Sequence, residues 1–323
     1  ITAFDATSAQ GGNVTVNADG SFTYNPPPGY EGTDTFTYTL SNSTGSNNAT
    51  VSITVSGMVW FINNGASACT TLAAGCGRLS NPFSTLAAFN TLNNGTGNNP
   101  AANDNIFLYE SGTAYTGGVT LLSGQKLIGQ DSTSSLSAIT GLTPPSGSAS
   151  FPAMNTGAPA VTIQNAGGNG VTLNSGNTLN GFTAGNSSGS AISGSGFGTL
   201  TVADVIVNTT GQALSLTNGT LSATFSSVTS SGGTNNVALA SPLTGTLTIS
   251  AGAFSGATGN SFDINGGTAT INNAATIASG SARSVNVTGK TGGTVTFSGA
   301  ITDTDTGINL NTNTGAIINF TGG

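Results

Sequence analysis

A repeat of short strands with a period near 23 residues constrains the fold of this 323-residue chain more than any other feature. Its clearest motif is a glycine followed by alternating threonine and apolar residues. Copies begin at Gly198, Gly219, Gly245, Gly267, Gly293 and Gly315, at intervals of 21, 26, 22, 26 and 22 residues. Two further strand patterns lie between successive motifs, so each period holds three strands. This arrangement predicts a parallel β-helix and excludes a propeller, whose blades repeat every ~40 residues.

The alternation within each strand predicts which side chains stack inside the β-helix. The second strand series is Leu214/Leu216, Val237/Leu239, Phe262/Ile264, Val285/Val287 and Ile308/Leu310, and the third is Val205/Val207, Val228, Phe254, Ile277 and Ile301. Because alternate residues of a strand point to the same side, we expect Leu200 and Val202 to stack on Leu221 and Ala223 of the next coil. At ~4.8 Å per coil, about 9 to 10 coils from residue 103 onward would form a rod of ~45 Å.

Residues 58–100 are predicted to connect the β-helix to an N-terminal unit and to close its first coil. Met58–Ile62 has the pattern of a short strand. Asn81–Leu92 begins with a capping residue and a proline, and its apolar residues follow at helical spacing. We expect this segment to be the only helix of the chain and to cover the first coil, whose core would otherwise meet water.

Two cysteines, Cys69 and Cys76, enclose six residues within this junction. The spacing does not suit a Cys-x-x-Cys redox pair, and two thiols are too few for a structural zinc site. We expect a small disulfide ring, which would place the protein in an oxidising compartment. The alternative is a pair of buried free thiols.

Residues 1–57 have the alternating pattern of a β-sandwich unit. Four strand patterns cover 13–16, 21–24, 33–40 and 49–55, and a fifth covers residues 1–4. Asp19-Gly20 separates two of them, and both residues suit the positive φ of a hairpin turn. One face is predicted to carry the apolar side chains Phe22, Tyr24, Phe36, Tyr38, Val51, Ile53 and Val55.

The stretches Asn17–Tyr24 and Pro27–Tyr38 resemble the cadherin-like or Ig-like modules of large bacterial surface proteins. Modules of that family begin earlier, with additional strands and an Asp-rich calcium-binding segment. This sequence starts after that point, so we expect a sandwich that lacks its first strands, and no calcium site is carried over. A complete Ig-like sandwich has about seven strands.

The β-helix is similar to pectate-lyase-like β-helices, and this resemblance implies right-handed coils. Val59–Asn63, Asn81–Ala88 and Leu122–Gln130 resemble repeat segments of large bacterial extracellular proteins. That resemblance implies a surface, adhesive or fibrous role.

The composition excludes several classes of function. Charged residues make up 5% of the chain, there is no histidine, and the net charge is −7. The four cations, Arg78, Lys126, Arg283 and Lys290, are too scattered for nucleic acid or an anionic membrane. No apolar stretch approaches the ~20 residues of a membrane span. Sites that need histidine are excluded, and we expect no cofactor and no metal. Ile1 opens directly into a strand pattern, so no leader is expected within the sequence.

An enzyme has to be considered, because β-helices are a common scaffold of polysaccharide-degrading enzymes. Without histidine, the carboxylates are the main catalytic candidates. Asp303 and Asp305 are the best pair for a glycosidase, which needs two carboxylates at a defined separation. However, they lie in a turn-like Thr-Asp-Thr-Asp-Thr-Gly run. Asp204 and Asp263 are isolated, and Asp104 and Glu110 flank the first predicted strand, where solvation explains them. Arg283 and Lys290 lack the acidic neighbours of a lyase site. We therefore expect no enzymatic activity.

Threonine pairs suggest an alternative, because aligned threonine rows resemble those of ice-binding solenoids. The pairs are Thr199/Thr201, Thr246/Thr248, Thr268/Thr270 and Thr294/Thr296, interrupted at Ser222. Threonine also favours any solvated strand face, which explains most of the pattern without ice.

Taken together, the sequence predicts an all-β protein. An incomplete Ig-like sandwich spans 1–57, and a right-handed parallel β-helix with a short capping helix spans 58–323. We expect an extracellular, cell-surface structural protein that self-associates end to end as a fibre or adhesin. The candidate assembly residues are Phe22, Tyr24, Phe36 and Tyr38 in the sandwich and Ile317, Ile318 and Phe320 in the last coil. The alternatives are neighbouring domains of a longer chain, an adhesin stalk that binds glycan or another surface ligand, an ice-binding solenoid, and a polysaccharide-degrading enzyme.

Overall fold

The computed structural model describes residues 1–279 and 283–322. The chain is mostly β, with 50% of its residues in strands and 5% in helices. A β-sandwich-like region precedes a parallel β-solenoid of about 9 turns with about 23 residues per turn, which confirms the predicted fold class. The right-handed sense of the coils stays a prediction. Residues 280–282 and 323 of the predicted β-helix range lie outside the described residues.

The N-terminal region is built from one small sheet and one hairpin. Its strands are β1 (Ala3–Phe4), β2 (Asn13–Val16), β3 (Phe22–Asn25), β4 (Gly32–Asn42) and β5 (Gly45–Val55). The antiparallel sheet has the order β1-β4-β5, and β2 pairs with β3. Val16 lies opposite Phe22, so the chain reverses at Asp19-Gly20 as predicted. Residues 1–57 thus form five strands, and the absence of first strands from this unit stays a prediction.

The solenoid is a single parallel sheet of 20 strands that wraps around one core. Its first strands are β6 (Val59–Ile62), β7 (Asn105–Leu108), β8 (Tyr115–Thr116), β9 (Val119–Thr120), β10 (Lys126–Gly129), β11 (Thr162–Asn165), β12 (Val171–Thr172), β13 (Thr178–Ser187), β14 (Ser190–Thr209) and β15 (Gln212–Ser230). The chain continues through β16 (Val237–Ile249), β17 (Ala253–Ser255), β18 (Asn260–Asn265), β19 (Thr270–Asn273), β20 (Thr276–Ser279), β21 (Arg283–Thr288), β22 (Thr294–Phe297), β23 (Ile301–Asp303), β24 (Ile308–Asn311) and β25 (Ile317–Phe320).

The number of residues between paired positions of successive coils varies less than the interval between the glycine motifs. Leu200 and Val202 stack on Leu221 and Ala223, as predicted. In the next coil Ala223 pairs with Leu247, and Leu247 pairs with Ile271, 24 residues later. The motif spacing places Leu247 above Leu221 and is therefore wrong by two residues in that coil. In the last coil it is wrong by one residue, because Val295 pairs with Ile318 and not with Ile317. A slip of two residues keeps every side chain on the same face of the strand, so the core alternation survives it.

Two short α-helices and one turn of 3₁₀ helix, Leu72–Ala74, interrupt the strands. Helix α1 spans Leu86–Leu92 and is capped by Thr85, whose hydroxyl accepts a hydrogen bond from the Ala88 amide at 3.1 Å. The predicted helix start at Asn81 is therefore early. A second helix, α2 (Leu136–Thr140), contradicts the prediction of a single helix. At five residues it is too short to show a helical period, and its first residue, Leu136, is its buried residue.

Candidate assembly interface

The N-terminal end of the solenoid is closed by the segment that follows β6. The Phe61 amide donates to the Gly77 carbonyl at 2.9 Å, and the Phe83 amide donates to the Phe61 carbonyl at 2.9 Å. The Asn63 amide donates to the Phe83 carbonyl at 2.8 Å. Because these bonds use the outer edge of β6, that edge cannot accept another strand without losing the segment.

Aromatic side chains fill the space beneath this closure. Trp60, Phe83 and Phe89 are at most 2% exposed, and Phe83 lies 6.0 Å from Trp60 and 6.1 Å from Phe89 between ring centroids. The Trp60 indole donates to Asp104 at 2.7 Å, and burial raises the pKa of that carboxyl. Helix α1 thus contributes Phe89 to the core of the first coil, which is the lid position predicted for it.

A disulfide joins Cys69 and Cys76, which confirms that prediction. Both sulfur-bearing residues are buried in the core of the first coil, at 5% and 0% exposure. The Cys69 amide donates to the Ser84 hydroxyl at 3.2 Å, one residue after Phe83. The ring is therefore part of the closure. We call residues 69–92 the cap.

The C-terminal end of the solenoid has no such cover among the described residues. Ile308 and Leu310 of β24 are 42% and 49% exposed, and Phe320 of β25 is 38% exposed. The residues that pair with them one coil earlier, Val285, Val287 and Phe297, are at most 1% exposed. We call Ile308, Leu310, Ile318 and Phe320 the end surface.

The predicted assembly residues of the last coil do not all face the same way. Ile318 pairs with the inward-facing Val295 and is half-buried, and the ring of Phe320 stacks on Phe297 with centroids 5.3 Å apart. Ile317 pairs instead with Thr294, and it is 61% exposed. Ile317 therefore lies on the outer side of the coil and not in the end surface. Ile308 and Leu310 belong to the predicted strand series but were not predicted as assembly residues.

A ladder of side-chain amides runs up the solenoid and ends at the end surface. The Asn286 amide nitrogen donates to the Asp263 carboxylate at 2.7 Å, and the Asn309 amide nitrogen donates to Asn286 Oδ1 at 2.7 Å. An ionised carboxylate can only accept, so Asp263 fixes the direction of every bond above it. Asn309 consequently presents its Oδ1 beyond β24, where no described residue donates to it.

The predicted assembly residues of the N-terminal region also differ in exposure. Phe22 is 44% exposed, and its ring packs edge-on against Phe36 at 5.2 Å. Tyr24 and Tyr38 are half-buried. Phe36 is 2% exposed and forms the centre of the unit, so it is not available to a partner in this fold.

The outer edge of β5 carries no backbone hydrogen bond to any described residue. β5 pairs with β4 along its full length, from Gly45 to Val55, and with no other described strand. Its eleven residues include no charge and no proline. Natural sheets usually protect an edge with such residues or cover it, so a long, uncharged edge is a site for pairing with another chain.

Comparison with known proteins identifies the N-terminal region. Residues 1–57 match the family model of the bacterial cadherin-like domain. This region is a cadherin-like domain. No curated protein and no solved structure matches the chain. The domain match and the disulfide favour an extracellular protein. Across residues 1–279 and 283–322, no helix has the length and apolar character of a membrane span.

A buried carboxylate that was not predicted, Asp34, links three parts of the cadherin-like domain. Asp34 is 1% exposed and accepts hydrogen bonds from the Tyr24 hydroxyl at 2.7 Å, from the Gln10 amide at 2.9 Å and from the Ser8 hydroxyl. Burial raises the pKa of the Asp34 carboxyl, but the hydrogen bonds outweigh it and hold that pKa below its ordinary value. One signal in the sequence indicates this buried carboxylate. Asp34 lies in the Thr-Asp-Thr-Phe strand at a position that alternates with Phe36, where an apolar residue is expected.

The carboxylates that were considered and rejected as a catalytic pair bind neighbouring backbone and side-chain groups. Asp303 accepts from the Ser284 hydroxyl and from the amides of Asp305 and Gly307, at 2.8 and 3.1 Å. The hydrogen bond from the Ser284 hydroxyl contributes most to lowering the pKa of Asp303. Asp204 accepts from the Thr133 hydroxyl at 2.6 Å. In the described part of the chain, no three histidine, cysteine or acidic residues form a group that could hold a metal ion.

Arg283 and Lys290, for which a lyase role was rejected, are also hydrogen-bonded to the backbone. Lys290 is fully buried, and its amine donates to the Ala269 carbonyl at 2.5 Å. Burial lowers the pKa of that amine. Arg283 donates to the Thr306 carbonyl at 3.2 Å. Neither forms an ion pair with a described carboxylate.

Threonine columns occur on the outer face, but in a different register from the predicted one. Thr201 pairs with Ser222, Ser222 with Thr246 and Thr246 with Thr270. Thr248 pairs with Asn272 and not with a threonine. The predicted alignment of the motif pairs is therefore wrong, because the two-residue slip of the Gly245 motif places Thr246, and not Thr248, in line with Ser222 and Thr270. The resulting column has a hydroxyl in four successive coils.

Proposed function

We propose that this protein is a non-catalytic structural part of a bacterial cell-surface fibre or adhesin and that copies associate through the end surface. A cadherin-like domain followed by a β-solenoid fits a surface structural or adhesin-like protein. The observation that carries the self-association is the end surface. Its side chains Ile308, Leu310 and Phe320 stack on Val285, Val287 and Phe297, which are buried in the preceding coil.

The energy of covering the end surface supports association. Fully burying one large apolar side chain contributes about 1.5–3 kcal/mol. Three of the four side chains are 38–49% exposed, so covering them together contributes a few kcal/mol before the cost of association. Pairing of the exposed backbone of β24 and β25 with another strand adds hydrogen bonds, each contributing about 0.5–1.5 kcal/mol because it replaces a bond to water.

The engagement of the carboxylates supports a role without catalysis. A glycosidase keeps two carboxyl groups aimed at the bond between two sugars. Here Asp303 is bound to the amides of its own turn, and Asp263 anchors the amide ladder.

Electron microscopy and sedimentation of the purified protein test the proposal. We expect the wild type to form end-to-end assemblies whose axial repeat is one molecule long. Leu310→Lys places a charge in the end surface and is expected to leave single 31.3 kDa molecules. The matched control is Ile206→Lys, because Ile206 is 40% exposed on the side of the solenoid. Assembly that survives Leu310→Lys, or single rods of the wild type at high concentration, would contradict the proposal.

A second candidate function is binding to ice, favoured by the column from Thr201 to Thr270. Its hydroxyls repeat every ~4.8 Å along the solenoid axis, as strands in a sheet do. Inhibition of ice recrystallisation by the wild type, and its loss in Thr246→Lys, is the expected result if the column binds ice. Equal crystal growth with and without the wild type would exclude this function.

A further inference from the structure

The cadherin-like domain is joined to the solenoid by a short linker. Three residues, 56–58, separate β5 from β6, and Gly57 among them has a φ of 79°. A linker of this length limits how far the two parts can separate, but it does not fix the angle between them. Domains joined in this way move relative to each other unless a contact holds them. The orientation of the domain therefore depends on contacts between the domain and the first coil.

Apolar packing at this junction is incomplete. A groove of about 510 Å³ runs between the domain and the first coil. The domain lines it with Pro26, Pro27 and Tyr30, and the other side is lined by Val59 and Leu79. All five side chains are half-buried. Because only part of their apolar surface is removed from water, hydrophobic burial alone holds the domain weakly.

Arg78 of the cap crosses the junction and binds the domain. Its Nη1 donates to Asn25 Oδ1 at 2.9 Å, and its Nη2 donates to the Pro26 carbonyl. A guanidinium carries its donors in one rigid plane, so two bonds to adjacent residues fix an angle as well as a distance. The donor is charged, which makes these bonds stronger than those between neutral groups.

The backbone that carries Arg78 is itself held on the first coil. The Phe61 amide of β6 donates to the Gly77 carbonyl at 2.9 Å, and the Gly77 amide donates to the Asn81 carbonyl at 2.9 Å. The Asn81 side chain donates to the Ala74 carbonyl, inside the disulfide ring, at 3.0 Å. The guanidinium therefore extends from a fixed point of the cap.

A turn of the domain packs directly on the first coil beside Arg78. In this turn, residues 27–30, the Tyr30 amide donates to the Pro27 carbonyl at 3.3 Å. Gly29 has a φ of 67°, and a Cβ at its position would lie 1.9 Å from the Asn98 carbonyl oxygen and 2.7 Å from the Trp60 ring. Only glycine allows the turn to approach the first coil this closely.

We infer that Arg78 and the turn at Gly29 dock the cadherin-like domain onto the first coil, so that the domain and the solenoid move as one rigid body in solution. Arg78 is a positioning residue of this junction, because its two bonds give the domain one orientation on the solenoid. The inference is independent of the proposed self-association, since every contact that carries it lies within one copy.

Relaxation of backbone amides in nuclear magnetic resonance tests the inference, because it measures the rotational correlation time of each part of the chain. We expect residues 1–57 and the solenoid to share one correlation time. Arg78→Met keeps a long side chain without its donors, and it is expected to give residues 1–57 a shorter correlation time than the solenoid. Arg283→Met is the matched control, because Arg283 donates to the Thr306 carbonyl within the solenoid. All proteins carry Leu310→Lys, so that association of copies does not slow their rotation.

A second pair of variants acts from the side of the domain. Gly29→Ala places a Cβ against Asn98 and Trp60. Gly20→Ala has a comparable strain, with a φ of 87°, but its Cβ meets no described atom within 4 Å. We expect Gly29→Ala to separate the two correlation times and Gly20→Ala to keep one. This pair decides the test if Arg78→Met loses the wild-type circular dichroism spectrum. One shared correlation time in folded Arg78→Met or folded Gly29→Ala, or two in the protein with neither change, would overturn the inference.

Discussion

The two ends of the solenoid carry the same kind of core but differ in what covers it. At the N-terminal end the cap occupies the edge of β6 and buries Trp60, Phe83 and Phe89. At the C-terminal end the inward columns stop at Leu310 and Phe320, which keep 49% and 38% of their surface exposed. Because each coil contacts only its neighbours, a coil at an uncovered end loses half of its contacts. Among the described residues the first coil is therefore covered and the last coil is exposed.

The largest expected effect compares one substitution at both ends. Phe89→Ala removes a fully buried ring from the cap and is expected to cost about 3–5 kcal/mol of the free energy of unfolding. Phe320→Ala removes a ring that already meets water and is expected to cost about 1 kcal/mol. Urea unfolding followed by circular dichroism measures both. Equal losses would show that the two ends are equally covered.

The disulfide tests whether covalent closure strengthens the capped end. Cys69→Ala/Cys76→Ala opens a ring between residues seven apart and is expected to cost roughly 2.5 kcal/mol through the entropy of the unfolded chain. The measurement is the urea midpoint, with and without a thiol reductant. The double variant is the control, since the reductant has nothing to cleave in it. A wild type insensitive to complete reduction would contradict a stabilising role.

A substitution of the buried Lys290 measures the cost of burying its charge under the last coil. The Thr314 amide of the last coil donates to the Lys290 carbonyl at 2.9 Å, and the side chain is fully buried. Lys290→Met is expected to stabilise the protein by about 1–2 kcal/mol at neutral pH, because it removes a buried charge that no carboxylate neutralises.

The pH dependence of this effect has a defined sign. The pKa of the folded Lys290 amine lies below its ordinary value of 10.5, so between these two values the unfolded chain holds a proton that the folded chain has lost. Wild-type stability therefore rises with pH across that window. We expect the advantage of Lys290→Met to shrink as the pH approaches 10.5, measured by urea unfolding at several pH values. Lys126→Met is the control, because Lys126 is half-buried. A constant advantage would contradict an effect of charge.

The smallest expected effect concerns the direction of the amide ladder. Asn309→Leu removes the terminal acceptor and its bond to Asn286, and it is expected to cost about 1 kcal/mol of stability. Asn286→Leu interrupts the ladder inside the solenoid and is expected to cost more, because Asp263 then loses a donor. Thermal unfolding of both variants measures the difference. Equal losses of stability in the two variants would show that the amide ladder is as strong in the last coil as it is inside the solenoid.

Local patterns were enough to predict the strands and their inward residues. The alternation around Leu200, Val202 and Leu221 gives the stacking that the structure has, because a strand has only two faces. The register beyond Leu221 could not be predicted in this way. Corners of variable length shift Leu247 by two residues, and such a shift leaves the alternation unchanged.

The site needed information that no local pattern holds. Helix α2 is too short to show a period. The Asp34 network joins Ser8 to a strand 26 residues later, and sequence spacing does not reveal such a contact. Ile308 and Leu310 have the same pattern as the buried pair Val285 and Val287 one coil earlier. Their exposure follows only from their position in the last coil.

Amide hydrogen exchange at two protein concentrations tests the central claim most directly, because it reads both ends of the same molecule. We expect the amides of 308–320 to exchange rapidly in dilute protein and at least about tenfold more slowly where copies associate, since about 1.4 kcal/mol of association energy produces that change. The amides of Phe61 and Phe83 in the capped end are expected to be protected equally at both concentrations. Exchange of 308–320 that does not change with concentration, or cap amides that change with it, would contradict the claim that association uses the open end.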